Sequence, residues 1–232
     1  MKSRRLQERL GSSSFATARL LPKTPGAVVA LRYDRTMRLT YAVLAAGASA
    51  RMGRDKLSPQ LAGGSPLERL ARLLVGRAVV LVCSERYRTR YASHMPSAAV
   101  AVNSSPQNGM TSSFRVAVPL LADCDRVGIV LADKPLLLRT TLERLEREVE
   151  DTTSDVIYPR SAAGEPGHPV YLSRRAIDAA MRLPDGDTLR ALRKDPTLSS
   201  LAIACDDRGA YVDIDTESDW VAAERLALDQ NN

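Results

Sequence analysis

From Leu39 onward the chain alternates short apolar runs with longer amphipathic stretches. The apolar runs are rich in β-branched residues or wholly apolar, as strands covered on both faces must be. Strands that alternate with helices of this kind predict an α/β fold with three layers, in which helices cover both faces of a mostly parallel, Rossmann-like sheet. The predicted strands are residues 41–45, 78–83, 98–102, 127–131, 155–158, 198–204 and 211–214.

Polar side chains mark three helix starts, because they can cap backbone N–H groups that have no partner within the helix. Residues 65–68 combine a capping box with a proline in the first turn, and residues 140–143 offer a second box. A last helix is predicted to begin near Thr216, since Trp220 and Ala223 then fall on one buried face.

The length and composition predict one folded domain behind a basic extension. The chain has 232 residues, of which 44% are hydrophobic, and no apolar run is long enough to span a membrane. Residues 1–36 are rich in Ser and Arg and contain proline breakers, whereas residues 37–232 show no linker. We therefore predict a disordered N-terminal extension at 1–36 and a single domain at 37–232. A targeting peptide and an upstream start site are alternative interpretations of the extension.

The distribution of charge and of cysteine excludes several classes of protein. The net charge of +6 lies in residues 1–36, because the remainder holds equal numbers of basic and acidic residues. A neutral body with 4% aromatic residues is not typical of a nucleic-acid-binding protein. The three cysteines and two histidines are far apart and form no metal-binding motif. Buried free thiols and a cytoplasmic location are the prediction.

The segment at 45–56, directly after the first predicted strand, has the composition of a phosphate-binding loop. Ligands of open α/β sheets bind outside the carboxyl ends of the strands. Small side chains let backbone N–H groups approach an anion, and Arg51 and Lys56 add the positive charge that a polyphosphate needs. The glycine spacing is that of neither a Walker A loop nor a dinucleotide fingerprint. An ordinary turn between strand and helix is the alternative interpretation.

Two aspartates end predicted strands. Asp133 follows the apolar run 127–132, and Asp215 follows the strand predicted at 211–214. Mg²⁺ is usually held by one or two carboxylates together with substrate phosphate oxygens, so Asp133 is a candidate ligand beside the phosphates. A turn at Asp133 and a helix N-cap at Asp215 are the alternatives.

Several motifs occur in an order that resembles the molybdenum cofactor cytidylyltransferase family of nucleotidyltransferases. The resemblance covers roughly residues 39–228 and implies the sheet of the nucleotidyltransferase type. The matching motifs lie at residues 44–56, 108–113, 132–135, 164–169, 186–190 and 213–216.

The resemblance implies roles for individual residues. Arg51, Lys56 and Asp133 would be catalytic, and Asp215 would be the second Mg²⁺ ligand, with Asp213 as the less favoured candidate. The nucleotide would be bound by Ala45, Ala46, Gly47, Ser49, Arg51, Gly53, Lys56, Gly109, Ser112 and Ser113.

The acceptor would be bound by His168 and Asp187. Local sequence also permits Asp187 to cap a helix, and Thr111 or Ser112 to be the N-cap of the helix that Gly109 opens. Lys134 departs from the family pattern, and it could pair with the neighbouring carboxylate or contact the acceptor phosphate.

The implied reaction is Mg²⁺-dependent transfer of CMP from CTP to the terminal phosphate of molybdopterin or molybdenum cofactor, with release of pyrophosphate. Residues 44–47 lack the second glycine typical of guanylyltransferase relatives, which favours CTP over GTP. A recipient molybdoenzyme or its chaperone would be the protein partner. The alternatives are cytidylyl or guanylyl transfer to a sugar, polyol or isoprenoid phosphate, and a nucleotide-binding regulatory protein without turnover.

Overall fold

A seven-stranded sheet forms the centre of the domain. The computed structural model describes residues 37–47, 55–184 and 186–230. The strands are β1 (Leu39–Leu44), β2 (Ala78–Cys83), β3 (Ala99–Val102), β4 (Arg126–Leu131), β5 (Val156–Arg160), β6 (Val170–Ser173) and β7 (Ser200–Ala204).

Helices connect most of the strands. The α-helices are α1 (Pro66–Leu73), α2 (Arg88–His94), α3 (Gly109–Ala117), α4 (Arg139–Glu150), α5 (Arg174–Arg182) and α6 (Glu217–Asp229). Short 3₁₀ turns lie at Glu85–Tyr87, Pro106–Asn108, Val118–Leu121, Leu189–Lys194 and Arg208–Ala210.

The strand order is β3-β2-β1-β4-β6-β5-β7, and β6 alone among these strands runs antiparallel to its neighbours β4 and β5. The pairs β1–β2, β1–β4, β2–β3 and β5–β7 are parallel. The mostly parallel α/β fold predicted from the alternation of apolar runs and amphipathic stretches is therefore confirmed.

Helices pack on both faces of the sheet because successive side chains of a strand point to opposite faces. On one face, Ala42 and Leu44 of β1 belong to a core cluster with Phe114 of α3 and Ile177 of α5. On the other face, the Tyr41 hydroxyl donates a hydrogen bond of 2.7 Å to Glu146 in α4. The three layers thus follow from the alternation along β1.

One predicted strand does not form, and one strand of the structure was not predicted. Residues 211–214, predicted as a strand, follow the turn Arg208–Ala210 and pair with no strand among the described residues. Their apolar side chains serve packing instead, since Ile214 is buried in a small core with Trp220 of α6. The sequence analysis also missed β6, a strand of only four residues that begins directly after Pro169.

The helix caps were predicted with mixed success. The Ser65 capping box and the Thr216 start are confirmed: the Ser65 hydroxyl accepts from the Glu68 N–H, and the Thr216 hydroxyl caps α6. The box at 140–143 was wrong, because the N-cap of α4 is Leu138, two residues before Thr140, and Leu138 has no capping side chain. The cysteines are free and buried, as predicted.

A membrane-spanning helix would need a longer apolar stretch than any helix in the described ranges provides.

We predict that Gly128→Ala destabilises the domain by about 1–3 kcal/mol, the usual cost of overpacking a core. Gly128 lies in the centre of β4, where a Cβ atom would stand 2.6 Å from the Tyr41 ring and 3.2 Å from the Tyr171 ring. Urea denaturation measures the change. Gly47→Ala is the matched control, since a Cβ there meets no described atom within 4 Å and stability should hold. Equal midpoints for the two variants would contradict the prediction.

Candidate functional site

The candidate site lies at the carboxyl edge of the sheet, where β1 and β4 end side by side. The strand ends are tied together, because the Ala45 N–H donates to the Val82 carbonyl (2.7 Å) and the Ala132 N–H donates to the Leu44 carbonyl (3.1 Å). Ala45 and Ala46 are buried at this edge, and Gly47 is exposed.

The predicted nucleotide-binding residues Ser49, Arg51 and Gly53 lie at 48–54, outside the described residues. Their roles remain predictions from the sequence.

Asp55 is the first described residue after this segment, and several hydrogen bonds hold its side chain in place. One carboxylate oxygen accepts hydrogen bonds from the Leu57 N–H (3.0 Å) and from the buried Tyr91 hydroxyl (2.9 Å), and the other faces Arg90 at 3.3 Å. These hydrogen bonds hold the pKa of Asp55 below its ordinary value although burial opposes them. The sequence analysis missed this role, since nothing local indicates that Tyr91 in α2 lies nearby.

Lys56, Asp133 and Asp215 are brought together by the fold. The Lys56 ammonium donates to Asp133 Oδ2 at 3.0 Å and to Asp215 Oδ1 at 2.8 Å, and its side chain is only 10% exposed. Burial disfavours the charged ammonium, but the two carboxylates outweigh burial and raise the pKa of Lys56. One buried cation therefore serves two aspartates that are 82 positions apart in the sequence.

Asp133 is electrostatically unsatisfied even with Lys56 beside it. Burial raises the pKa of its carboxyl above the ordinary value, and Lys56 offsets this only in part. Its Oδ1 atom is buried and accepts no hydrogen bond from any residue in the described ranges. The backbone carbonyl of Asp133 accepts from the Ile214 N–H at 3.0 Å, which holds the segment that carries Asp215 in place. Asp215 is thus positioned by an irregular segment, and the N-cap of α6 is Thr216 instead.

The two aspartates fit a divalent cation that shares its ligands with a substrate. The described ranges contain no group of three or more acidic, His or Cys side chains that could enclose an ion. Mg²⁺ typically takes one or two carboxylates and completes its shell with phosphate oxygens and water. Asp133 has a buried oxygen without a hydrogen-bond partner among the described residues, and Asp215 places a second carboxylate on the same Lys56 ammonium. These oxygens match that donor set.

The start of α3 lies at the end of β3, as its predicted nucleotide-binding role requires. Gly109 adopts a positive φ of 85°, which favours glycine. The Ser112 and Ser113 hydroxyls each accept a hydrogen bond of 3.0 Å from the buried Asn103 amide. The sequence analysis missed Asn103, although a polar residue directly after a predicted strand was a usable signal.

The alternative that made Thr111 or Ser112 an N-cap is wrong. Both residues lie within α3, whose N-cap is Asn108 and has no capping hydrogen bond from its side chain. The Thr111 hydroxyl instead donates to the backbone carbonyl of Asp187.

A cavity of about 470 Å³ is lined by residues next to the two aspartates in sequence, and we call it the acceptor cavity after the ligand that the sequence predicts for His168. Two of its lining residues are near the aspartates in sequence: Lys134 follows Asp133 directly, and Asp213 lies two residues before Asp215. The Lys134 ammonium pairs with Asp213 (2.6 Å) and donates to the Tyr211 carbonyl (2.6 Å). Lys134 therefore pairs with Asp213 and not with Asp133. A contact between Lys134 and the acceptor phosphate stays a prediction. The apolar part of the wall is built by Met110, Ile129, Leu131, Val170, Leu172 and Leu189.

His168 lines the acceptor cavity, and its role in binding the acceptor stays a prediction. Its Nδ1 atom lies 3.3 Å from the Ile129 carbonyl, and because a carbonyl can only accept, Nδ1 carries the proton. Burial lowers the pKa of His168 to about 4, so the imidazole is neutral near pH 7. Neutral His168 leaves Nε2 as an acceptor.

Asp187 is not among the cavity-lining residues, although Thr188, Leu189 and Arg190 directly after it are. It also does not cap the following 3₁₀ turn, whose N-cap is Thr188. Arg190 and Arg193 from that turn line the cavity, and Arg193 lies 5.0 Å from the centre of the Tyr158 ring. Arg190 lies in the motif at 186–190 but had no predicted role, and Arg193 was not singled out in the sequence.

Several solved structures have the same fold as this chain. The Rv0371c protein of Mycobacterium tuberculosis H37Rv is 22% identical, with a TM-score of 0.69 over 82% of this chain and all of its own. Rv0371c has also been crystallised in complex with manganese, and that structure is 23% identical, with a TM-score of 0.65 over 82% of this chain and 99% of its own.

Molybdopterin-guanine dinucleotide biosynthesis protein A of Archaeoglobus fulgidus is 20% identical, with a TM-score of 0.66 over 82% of this chain and 99% of its own. At these identities the likeness concerns the fold. A comparison with curated protein sequences found no match.

The family model of the MobA-like NTP transferase domain matches residues 41–201, which is well over half of the chain. The match includes β1 and its loop, Lys56, Asp133 and the segment around His168. The chain therefore belongs to the family of MobA-like NTP transferase domains and is a nucleotidyltransferase.

Proposed function

We propose that the protein transfers CMP from CTP to the terminal phosphate of molybdopterin or molybdenum cofactor and releases pyrophosphate. The observation that carries this proposal is the arrangement of Lys56, Asp133 and Asp215 beside a cavity with cationic and apolar walls. An attacking phosphate is already anionic near pH 7, so the reaction needs alignment and charge neutralisation and no strong base. The neutral His168 agrees with such a reaction, because an anionic phosphate needs no general base to activate it.

Asp133 and Asp215 are the residues that would hold a Mg²⁺ ion. When bound there, the ion would supply positive charge to the phosphates. Lys56 holds both carboxylates in one place and adds a fixed positive charge at the same edge of the sheet. The manganese complex of Rv0371c supports a divalent cation, because the two chains share the fold.

The acceptor cavity supports a molybdopterin-type acceptor through its mixed walls. Ile129, Leu131 and Leu172 offer an apolar surface suited to a ring system, whereas Arg190 and Arg193 offer guanidinium groups suited to anionic substituents. The preference for CTP rests on residues 44–47, where Ala46 stands in place of a second glycine. Asp187 contributes through its backbone carbonyl, which fixes the turn that carries Arg190.

The competing function is nucleotidyl transfer to another phosphorylated acceptor such as a sugar, polyol or isoprenoid phosphate. An inactive regulatory protein is less well supported, since a sensor has no need of two carboxylates on one buried lysine. Acceptor choice separates the two transferases, and metal-dependent pyrophosphate release separates an enzyme from a sensor.

The deciding experiment is pyrophosphate release by the purified protein with Mg²⁺ and molybdenum-loaded molybdopterin, run in parallel with CTP and GTP. We expect release with CTP and at most weak release with GTP. Asp133→Asn, which keeps the side-chain size but removes the charge, is the control and should be inactive. Release with GTP alone would overturn the base assignment. No release with either nucleotide would favour a different acceptor or the regulatory protein.

Lys56→Ala should reduce turnover by about a hundredfold or more and nucleotide affinity much less. The expected size is that of losing one fixed charge aimed at the transition state. Steady-state kinetics and nucleotide titration measure the two effects separately. Lys194→Ala, which removes an exposed lysine, should leave both unchanged. Turnover equal to that of the Lys194 variant would refute a role for Lys56 in the transition state.

The free energy of unfolding should fall as the pH is lowered from about 6.5 to 4, because His168 resists protonation in the folded state. The pKa of His168 is lowered from 6.5 to about 4, so within this window the unfolded chain binds a proton that the folded chain does not. The full loss is about 3 kcal/mol by proton linkage. Urea denaturation across the window measures it. His168→Gln should flatten the slope and His94→Gln should keep it, and identical slopes in both variants would contradict the assignment.

A further inference from the structure

A second concavity, of about 360 Å³, is lined by three arginines. Arg69 and Arg72 come from α1 and Arg139 is the first residue of α4, and we call this concavity the arginine groove. None of its lining residues lines the acceptor cavity or belongs to the Lys56 cluster. The remaining wall is formed by Gly63, Leu73, Pro135, Leu137, Leu138 and Gln230.

Neutral backbone carbonyls hold the three guanidinium groups in position. Arg69 donates to the Ala62 carbonyl at 2.6 Å, and Arg72 donates to the Gly63 carbonyl at 2.5 Å. Arg139 donates to the Arg72 carbonyl. Such hydrogen bonds fix the direction of each side chain but do not neutralise its positive charge.

The charge of the groove is poorly compensated within the described part of the chain. No Asp or Glu is among the described residues that line it. Glu143 approaches Arg139 only to 4.0 Å with both side chains about half exposed, a geometry of little electrostatic value. The Glu68 carboxylate is engaged with the Ser65 N–H at 2.7 Å and with His94 at 3.4 Å.

Among the three arginines, Arg69 has the least favourable surroundings for its charged side chain. Its Nε atom is buried and has no hydrogen-bond partner among the described residues. Burial, together with the neighbouring Arg72, lowers the pKa of Arg69 below its ordinary value. A buried donor without an acceptor costs free energy, and a nearby anion would stabilise the charge of the same guanidinium.

We propose that the arginine groove binds a small phosphate-bearing ligand at a site separate from the catalytic edge of the sheet. Guanidinium groups match the geometry of phosphate oxygens and bind them with two parallel hydrogen bonds. The volume of 360 Å³ lies at the lower end of small-molecule sites, which favours a small ligand over a protein segment. Leu73 and Leu137 provide an apolar wall beside the charges.

The proposal is tested by titrating the full chain with inorganic pyrophosphate at constant ionic strength and without divalent metal, using calorimetry. Arg72→Gln combined with Arg139→Gln should weaken binding at this site at least tenfold. The matched control is Arg144→Gln combined with Arg175→Gln, which removes the same charge from helix positions outside the groove and should bind as the wild type does. CTP binding with Mg²⁺ reports separately on the catalytic edge and should stay unchanged in both.

A second variant tests the proposal independently, in case the double arginine variant does not fold. Leu138→Glu adds a carboxylate at the partly exposed rim of the groove and should also weaken pyrophosphate binding at least tenfold. Displacement of pyrophosphate by CMP at lower concentration than by inorganic phosphate would identify a nucleotide as the ligand, and the reverse order would identify a free phosphate. Absence of pyrophosphate binding to the wild type, or equal weakening in the control pair, would overturn the proposal.

Discussion

The contact of one buried ammonium with two carboxylates is the interaction on which the site depends. Asp133 and Asp215 would repel each other at the edge of the sheet if Lys56 did not stand between them. The three residues come from three separate segments, so the contact also ties the end of β4 to the segments before α1 and α6. Removing the lysine would leave two partly buried charges without their counter-ion, which is costlier than losing an exposed ion pair.

The sheet supplies the rigidity that this contact needs. β1 and β4 pair along six residues each, and their ends are joined by backbone hydrogen bonds just before the functional side chains. The Asp55 carboxylate and the Tyr91 hydroxyl give Lys56 a second support from α2. Functional side chains are held most precisely when they stand on such packed elements, and the same edge is where parallel sheets expose backbone groups to ligands.

The features that the sequence predicts correctly are those that neighbouring residues in the chain determine. The strands β1, β2 and β4 are continuous apolar runs, and Ser65 and Thr216 cap their own helices, so local patterns sufficed. The segment 211–214 has the same alternation as a strand, but its apolar side chains pack against α6 and its backbone pairs with no described strand. Tyr91 and Arg193 reach the site only through tertiary packing, which no local pattern records.

The reversed direction of β6 brings its first residue to the edge of the sheet at which its neighbour β4 ends. The loop before β6 therefore supplies His168 to a cavity that is also lined by the segment after β4 and by the turn 189–194. None of the described residues that are proposed to bind the nucleotide is among the residues that line this cavity. Under the proposed function, changes in these two short segments would alter the acceptor and leave the proposed nucleotide-binding residues in place.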